Sequence, residues 1–448
     1  MLGTRVPRAA ALAVTAALLL ATSACGTDEP EEADTRPVRL YGSDGNMQNS
    51  FAAELKDRAD LVDGMKGTTP LTRLPESFTN RLRAVDPKLT DFLYAAESYD
   101  AVVISALAAQ LAGSTEPAAI AKQIVGVTNG GQRCEDVAKC LELARDGQDI
   151  EYRGVSLNRA GFTDTGEPAT ASYATLHFDD QKIDDGKTEF VGAGDESNAS
   201  TKAPPRARKQ TPAVLRDSGA PLVLGGLLPR TGDLALAYPP LAAGSALALR
   251  EINQAGGVLG EPMVWIDGDD GTNPTVAKAT VASHVAAGVH VIIGAGASGI
   301  SREVLPDVVA AGRILFSPSN TDASLSKVDD QGLYFRTAPP DSLQGRALAD
   351  VILRDGPRRI VLLARKDSYG EGLQGYVQAE LERAGIGDDR VKLITYQPPD
   401  SPEAPPVDFG SAAQEIRDYQ AEAVLIIGFG ESAPLIRALD DAGVRLHR

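Results

Sequence analysis

The chain reads as an α/β protein with two Rossmann-like lobes, each built on a parallel sheet, and three observations predict this. From Pro221 onward, short apolar runs alternate with helix-length segments, the pattern that gives parallel strands joined by right-handed crossovers. A proline-bounded break, Phe335-Arg336-Thr337-Ala338-Pro339-Pro340, divides that alternation into two sets, hence two sheets. The stretch 290–321 carries two apolar runs, 291–293 and 314–316, which stop in Gly294-Ala295-Gly296-Ala297-Ser298-Gly299 and in Ser317-Pro318-Ser319-Asn320-Thr321. Adjacent parallel strands that end in glycines and hydroxyls form the crevice where an open α/β sheet takes a small polar ligand.

Taken in order, residues 1–25 read as an export signal. Arg5 and Arg8 give a positive start, 9–20 an apolar run too short for a comfortable membrane span, and Ala21-Thr22-Ser23-Ala24 a small-residue site before Cys25. A cysteine so placed resembles a bacterial lipoprotein signal, although Thr22 stands where that family usually has Leu. The resemblance implies acylation of Cys25 and anchoring to the outer face of the cytoplasmic membrane; ordinary secretion is the alternative. Residues 26–37, rich in Asp, Glu and Pro, would be a flexible tether.

Residues 38–41 form a short strand entering Gly42-Ser43-Asp44-Gly45. In an exported chain the remaining cysteines, Cys134 and Cys140, are expected to pair as a disulfide, the small loop contributing ~2 kcal/mol. A metal site there lacks partners, since His177, His284, His290 and His447 all lie elsewhere. Residues 181–220 read as a linker, of which 195–219 has almost no periodicity. A strand at 222–228 follows, then a helix opened by Pro239-Pro240, with Leu241, Ala248, Leu249 and Ile252 on one face, closed by Gly256-Gly257. Further strands are expected at 264–267, 359–363, 391–395 and 423–427, with helices through Val285, from Gly372, at 412–419 and at 434–442. The last helix leads into no further strand, whereas the segment at 38 begins on a strand with no helix before it.

The length suffices for two or three lobes with proper cores, and a formal charge of -17 with no offsetting basic patch argues against a nucleic-acid partner. Gly294 to Gly299 spell a G-x-G-x-x-G, the dinucleotide fingerprint. That reading fails on the next strand, which delivers Ser317 where an acid should meet a ribose hydroxyl. No H-E-x-x-H, P-loop or G-x-S-x-G occurs, so neither catalysis nor a cofactor is called for; His284 and His290 bracket a helix end and read as surface or capping residues.

Residues 222–439 resemble the N-terminal and middle portions of the type I periplasmic solute-binding proteins of ABC importers, in the leucine/isoleucine/valine-binding branch. The matching residues are Arg230-Thr231-Gly232, Glu251-Ile252-Asn253, Gly256-Gly257, Asp269-Asp270, Ile293-Gly294, Ser298, Ser317-Pro318, Phe335-Arg336-Thr337 and Tyr369-Gly370-Glu371-Gly372. Residues 38–180 resemble the family's C-terminal portion through Gly42-Ser43-Asp44-Gly45, the stretch 64–70, Tyr99-Asp100-Ala101, Gly154 and Phe162. What the family places last comes first here, which implies a circular permutation; two halves that complete each other only as a swapped dimer are the alternative.

The resemblance implies a bilobed fold with a three-segment hinge near 64–70, 152–156 and 335–340. Lobe 1 would be about 64–150 plus 221–337, and lobe 2 about 38–63, 151–180 and 341–448. It also implies that Ser298, Ser319 (mainly by backbone atoms) and Thr321 hold the carboxylate and ammonium of an amino acid, that Asp44 faces the ammonium from the other lobe, and that Tyr369 closes over the ligand. Where the family has a pocket tyrosine near the first helix, this chain has Ala237 followed by Tyr238; where it has another after a strand, this chain has Phe429. Tyr238 and Phe429 are therefore the candidates for the side-chain pocket, and ligand identity stays open. The implied function is capture of a branched-chain-like amino acid, or a related carboxylate or amide, for an ABC permease. A monomer is expected. A sensor of the same fold and a permuted protein without ligand binding remain alternatives.

Overall fold

A computed structural model describes residues 37–205, 220–399, 401 and 404–448. The signal, most of the tether and Cys25 lie outside these residues, as does 206–219 of the linker. The strands are β1 (Arg39–Gly42), β2 (Lys66–Pro70), β3 (Gln132–Cys134), β4 (Ile150–Tyr152), β5 (Thr170–Asp179), β6 (Lys182–Ile183), β7 (Glu189–Gly194), β8 (Val223–Leu227), β9 (Val264–Ile266), β10 (Val291–Gly294), β11 (Ile314–Ser317), β12 (Tyr334–Arg336), β13 (Ile360–Arg365), β14 (Val391–Tyr396) and β15 (Ala423–Ile427).

Two sheets dominate. The smaller has the order β12-β11-β10-β8-β9 and is parallel throughout. Every residue of β10 and β11 is buried, as continuous apolar strands covered on both faces must be. The larger has the order β14-β13-β15-β1-β2-β5-β6, with β7 also on β5. It is parallel from β14 to β2 and antiparallel beyond. Thus β1, from the start of the described chain, lies between β15, from its end, and β2. Val38 is also bridged to Leu446, with its N–H donating to Arg445 O at 2.7 Å.

Three differences from the sequence expectations concern boundaries. β2 hydrogen-bonds into the larger sheet, so the passage toward the smaller one comes after Pro70 rather than at Gly64. β6 and β7 extend the larger sheet to Gly194, so 181–194 is sheet rather than linker; Val191 is 47% exposed there, and an edge so open lacks clean alternation. The helix expected from Gly372 begins at Ser368, because Asp367 caps it by accepting from Gly370 N.

The helix Ala95–Ala112 is buried along almost its whole length and ends at Gly113, whose φ of 62° allows a left-handed cap. It packs against the helix Tyr238–Gln254 so closely that a Cβ on Gly244 would stand 2.2 Å from Ala95 O. The chain passes between the sheets after β2, between β4 and β5, and after β12. These passages are tied together. Buried Arg336 pairs with Glu167 at 2.5 Å, Arg336 N donates to Gly166 O, and Thr337 Oγ1 donates to Glu97 O at 2.9 Å. The Cys134 and Cys140 sulfurs lie within bonding distance, with Cα atoms 5.5 Å apart. Among the described residues no helix is long and apolar enough to cross a membrane.

Candidate functional site

The strand ends of the two sheets face each other across a narrow cavity. From the smaller sheet it is lined by Gly296, Ala297, Ser298, Ser319 and Thr321, with Leu234 and Ala237 beside them. Asp44, Gly45, Tyr369 and Phe429 line the opposite side, and Leu93 and Tyr94 complete it. Six of the seven candidate binding residues therefore meet in one place. Tyr238 is the exception: Ala237 takes the lining position, and the Tyr238 ring lies 5.8 Å from the Arg230 guanidinium instead. One step along a helix turns a side chain by about 100°, which is enough to move it off the wall.

On the smaller-sheet side the turns satisfy themselves first. Ser317 Oγ donates to Ala295 O, Ser319 Oγ donates to Gly296 O at 2.8 Å, and Asn320 Nδ2 donates to both carbonyls. The Ala295 and Gly296 amides are also engaged, donating to Ser301 Oγ and Asp270 Oδ2, so these two are not offered to a ligand. Burial raises the Asp270 carboxyl to about 7. Ser298 differs. Its Oγ accepts from the Thr321 and Asp322 amides at 3.1 and 3.2 Å, which fills its acceptor positions and leaves its own proton to donate. It also opens the helix Ser298–Ala310, whose first turn has no side-chain cap. Hydroxyl and helix N-terminus together favour an anionic group at this end of the cavity.

The opposite side is assembled from distant segments. Asp44 is 4% exposed and accepts from Tyr369 Oη and Gln344 Nε2 on Oδ1, at 2.8 and 3.0 Å, and from Tyr94 Oη on Oδ2 at 2.8 Å. Burial raises its carboxyl above the ordinary range, and the three donors oppose the rise. A carboxylate offers about four acceptor positions, so one remains for a ligand donor. Tyr369 stacks on Phe429 with centroids 5.3 Å apart, and Phe429 lies 4.0 Å from the buried Arg365 guanidinium. Arg365 is held by Asp367 and Glu431 at 2.5 and 2.6 Å and reaches Asp233, just before the helix Tyr238–Gln254, at 3.7 Å. Gly430 N donates to Asp233 O, so this cluster joins the two sides at the rim.

Leu93, Tyr94, Leu234 and Gln344 were missed from sequence, for none belongs to a motif. Tyr94 has a left-handed backbone (φ 59°) at a helix start, a feature only coordinates reveal. His284, read as a surface or capping residue, is buried with Nε2 2.9 Å from Gly226 O; the helix Pro274–Ala286 turns it onto β8.

A family model described as periplasmic binding protein matches residues 221–447. The chain is similar to Leu/Ile/Val-binding protein homolog 3 of Brucella melitensis, 27% identical over 230 residues, covering 50% of this chain and 60% of that one. It is also similar to a leucine-specific-binding protein of Salmonella typhimurium, 33% identical over 141 residues, 31% of this chain and 38% of that one. Among solved structures, it is similar to the branched-chain amino acid transporter substrate-binding protein LivJ of Streptococcus pneumoniae in complex with isoleucine. There the identity is 22% and the TM-score 0.40, over 46% of this chain and 57% of that one. The chain thus spans at most 60% of the length of these relatives.

Proposed function

Because the chain belongs to the periplasmic binding protein family, we propose that it is an exported receptor that captures an amino acid, or a related small carboxylate or amide, and presents it to an ABC permease. One observation carries this reading: a cavity with Ser298 and a helix N-terminus on one side and buried Asp44, with an acceptor position left, on the other. Such a cavity complements a carboxylate at one end and an ammonium at the other. An unpaired ammonium in a closed site is costly, and Asp44 would compensate it. Tyr369 and Phe429, with Leu93 and Leu234, would enclose an apolar side chain, in keeping with relatives named for leucine, isoleucine and valine. The function is binding without turnover.

The chain order is read as a circular permutation. β1 sits between β15 and β2, so β1, β2 and β5 to β7 extend the sheet begun by the family-matched segment, and the passages after β2, between β4 and β5 and after β12 serve as the hinge. Closure about that hinge would be biased by a ligand that touches both sides. Lipidation at Cys25, a Cys134–Cys140 disulfide and a monomeric state belong to the same proposal. A thermal-shift screen over amino acids, amides and small organic acids tests the function, since a ligand of the folded form raises its Tm. A rise with at least one α-amino acid is expected; no rise with any would refute the reading. Light scattering that gave an obligate dimer would refute the monomer.

A further inference from the structure

Behind Asp44 lies a second carboxylate that the binding proposal does not use. Asp341 opens the helix Asp341–Arg354 and is fully buried, and its carboxylate is approached by the Thr321 side chain without a hydrogen bond of good geometry. Its position is tied to the cavity twice. Its N–H donates at 2.7 Å to the carbonyl of Thr321, a lining residue, and Gln344, one turn along the same helix face, donates to Asp44 Oδ1 and Thr68 O. Gln344 Oε1 also lacks a partner. Among the described residues the surroundings supply no free cation. Tyr94, Tyr173 and Tyr369 are neutral phenols, Asp322 is acidic, and Arg336 is already bound to Glu167 and to the carbonyls of Asn320 and Asp322.

Two enclosed carboxylates without a cation do not both stay ionised; one keeps a proton, and it is the one with fewer donors. Asp44 has three well-formed side-chain donors, and Asp341 has only the approach of the Thr321 side chain. Burial raises both carboxyls, and for Asp341 the charge of Asp44 is the next largest cause. A proton on Asp341 also turns one orphaned oxygen into a donor, beside a helix neighbour whose amide oxygen needs one.

Building on the proposed amino-acid site, we propose that Asp44, on the cavity wall, and Asp341, behind it, form an acid pair that holds one proton in the ligand-free protein and releases it to solvent when a cationic ligand group binds. The balance is simple. The ligand ammonium brings one positive charge beside Asp44, the Asp341 O–H bond breaks, and the proton leaves to buffer. Asp341 is thus a positioning residue that makes the cavity select for a cation.

Calorimetric titration of L-leucine at pH 7, in buffers of different ionisation enthalpy, reads the protons released per ligand bound. Release approaching one proton is expected for the wild type and close to none for Asp341→Asn. Binding with no proton exchange in the wild type would overturn the pair. Infrared difference spectra of the ligand-free protein, wild type minus Asp341→Asn, provide a reading that needs no ligand. A protonated buried carboxyl band near pH 7 is expected, and its absence overturns the proposal. Failure of leucine to bind counts against the choice of ligand, and the infrared result then decides the pair alone.

Discussion

The two sides of the cavity are built in opposite ways. Gly296, Ser298, Ser319 and Thr321 come from one contiguous stretch, and most of its polar groups bond to one another: Ser317, Ser319 and Asn320 all serve the carbonyls of Ala295 and Gly296. Asp44 comes from a segment hundreds of residues before Tyr369 and Phe429; Tyr94, Gln344 and Tyr369 donate to its carboxylate, and Phe429 stacks on Tyr369. The first side is a turn that folds with its own strands. The second exists only once β1 has docked beside β15. Substitutions on the local side should therefore disturb a turn as well as a ligand, whereas those on the assembled side should loosen the contacts between its segments as well as change the charge offered to a ligand.

The sharpest break comes from Asp44→Ala, which removes the charge proposed to face a ligand ammonium and leaves three donors unpaired. It is expected to cost roughly 2–5 kcal/mol of affinity, read by calorimetry. Ser298→Ala should cost about 1–3 kcal/mol and lower Tm as well, because the Thr321 and Asp322 amides lose their acceptor. An effect on affinity without one on Tm would blur the contrast between the sides.

Glu97 lies outside the cavity lining, where its backbone carbonyl accepts from Thr337 Oγ1 just after β12. Burial raises its carboxyl from 4.5 to about 8, so the folded chain holds this proton more tightly than the unfolded one. The resulting stabilisation is complete below about pH 4.5 and is lost as pH rises through about 8. Glu97→Gln should therefore raise Tm at pH 9 relative to the wild type and change it little at pH 5.

At the rim, Asp233 meets Arg365 at 3.7 Å with its side chain 19% exposed, and the carboxyl is raised to about 6 by burial and by the nearby Glu431. Asp233→Asn should speed ligand release by no more than about five-fold, since partly solvated pairs contribute under about 1 kcal/mol. The smallest effect belongs to Tyr238→Phe, which should leave affinity unchanged. A clear loss would return Tyr238 to the lining.

What the sequence made legible follows the same division. The α/β class, the two sheets and the turn residues Ser298, Ser319 and Thr321 could be read because strand periodicity, glycines and hydroxyls are local signals. Asp44 could be proposed only through family resemblance, since Ser-Asp-Gly by itself is an ordinary turn. Tyr94, Gln344 and Asp341 stayed hidden because their roles arise where separate helices converge on β1 and β2, and nothing in their immediate neighbours records it. Tyr238 misled for a related reason: spacing gives the residue, but the helix rotation decides which of two adjacent side chains faces inward.

The central claim is that one ligand bridges both sides by its two charges. Calorimetry comparing L-leucine with L-leucinamide, which lacks the carboxylate, and with 4-methylpentanoate, which lacks the ammonium, tests it most directly. Single-site binding of leucine is predicted, with each analogue weaker by at least about ten-fold, or ~1.4 kcal/mol. Leucine binding matched by either analogue would contradict the account.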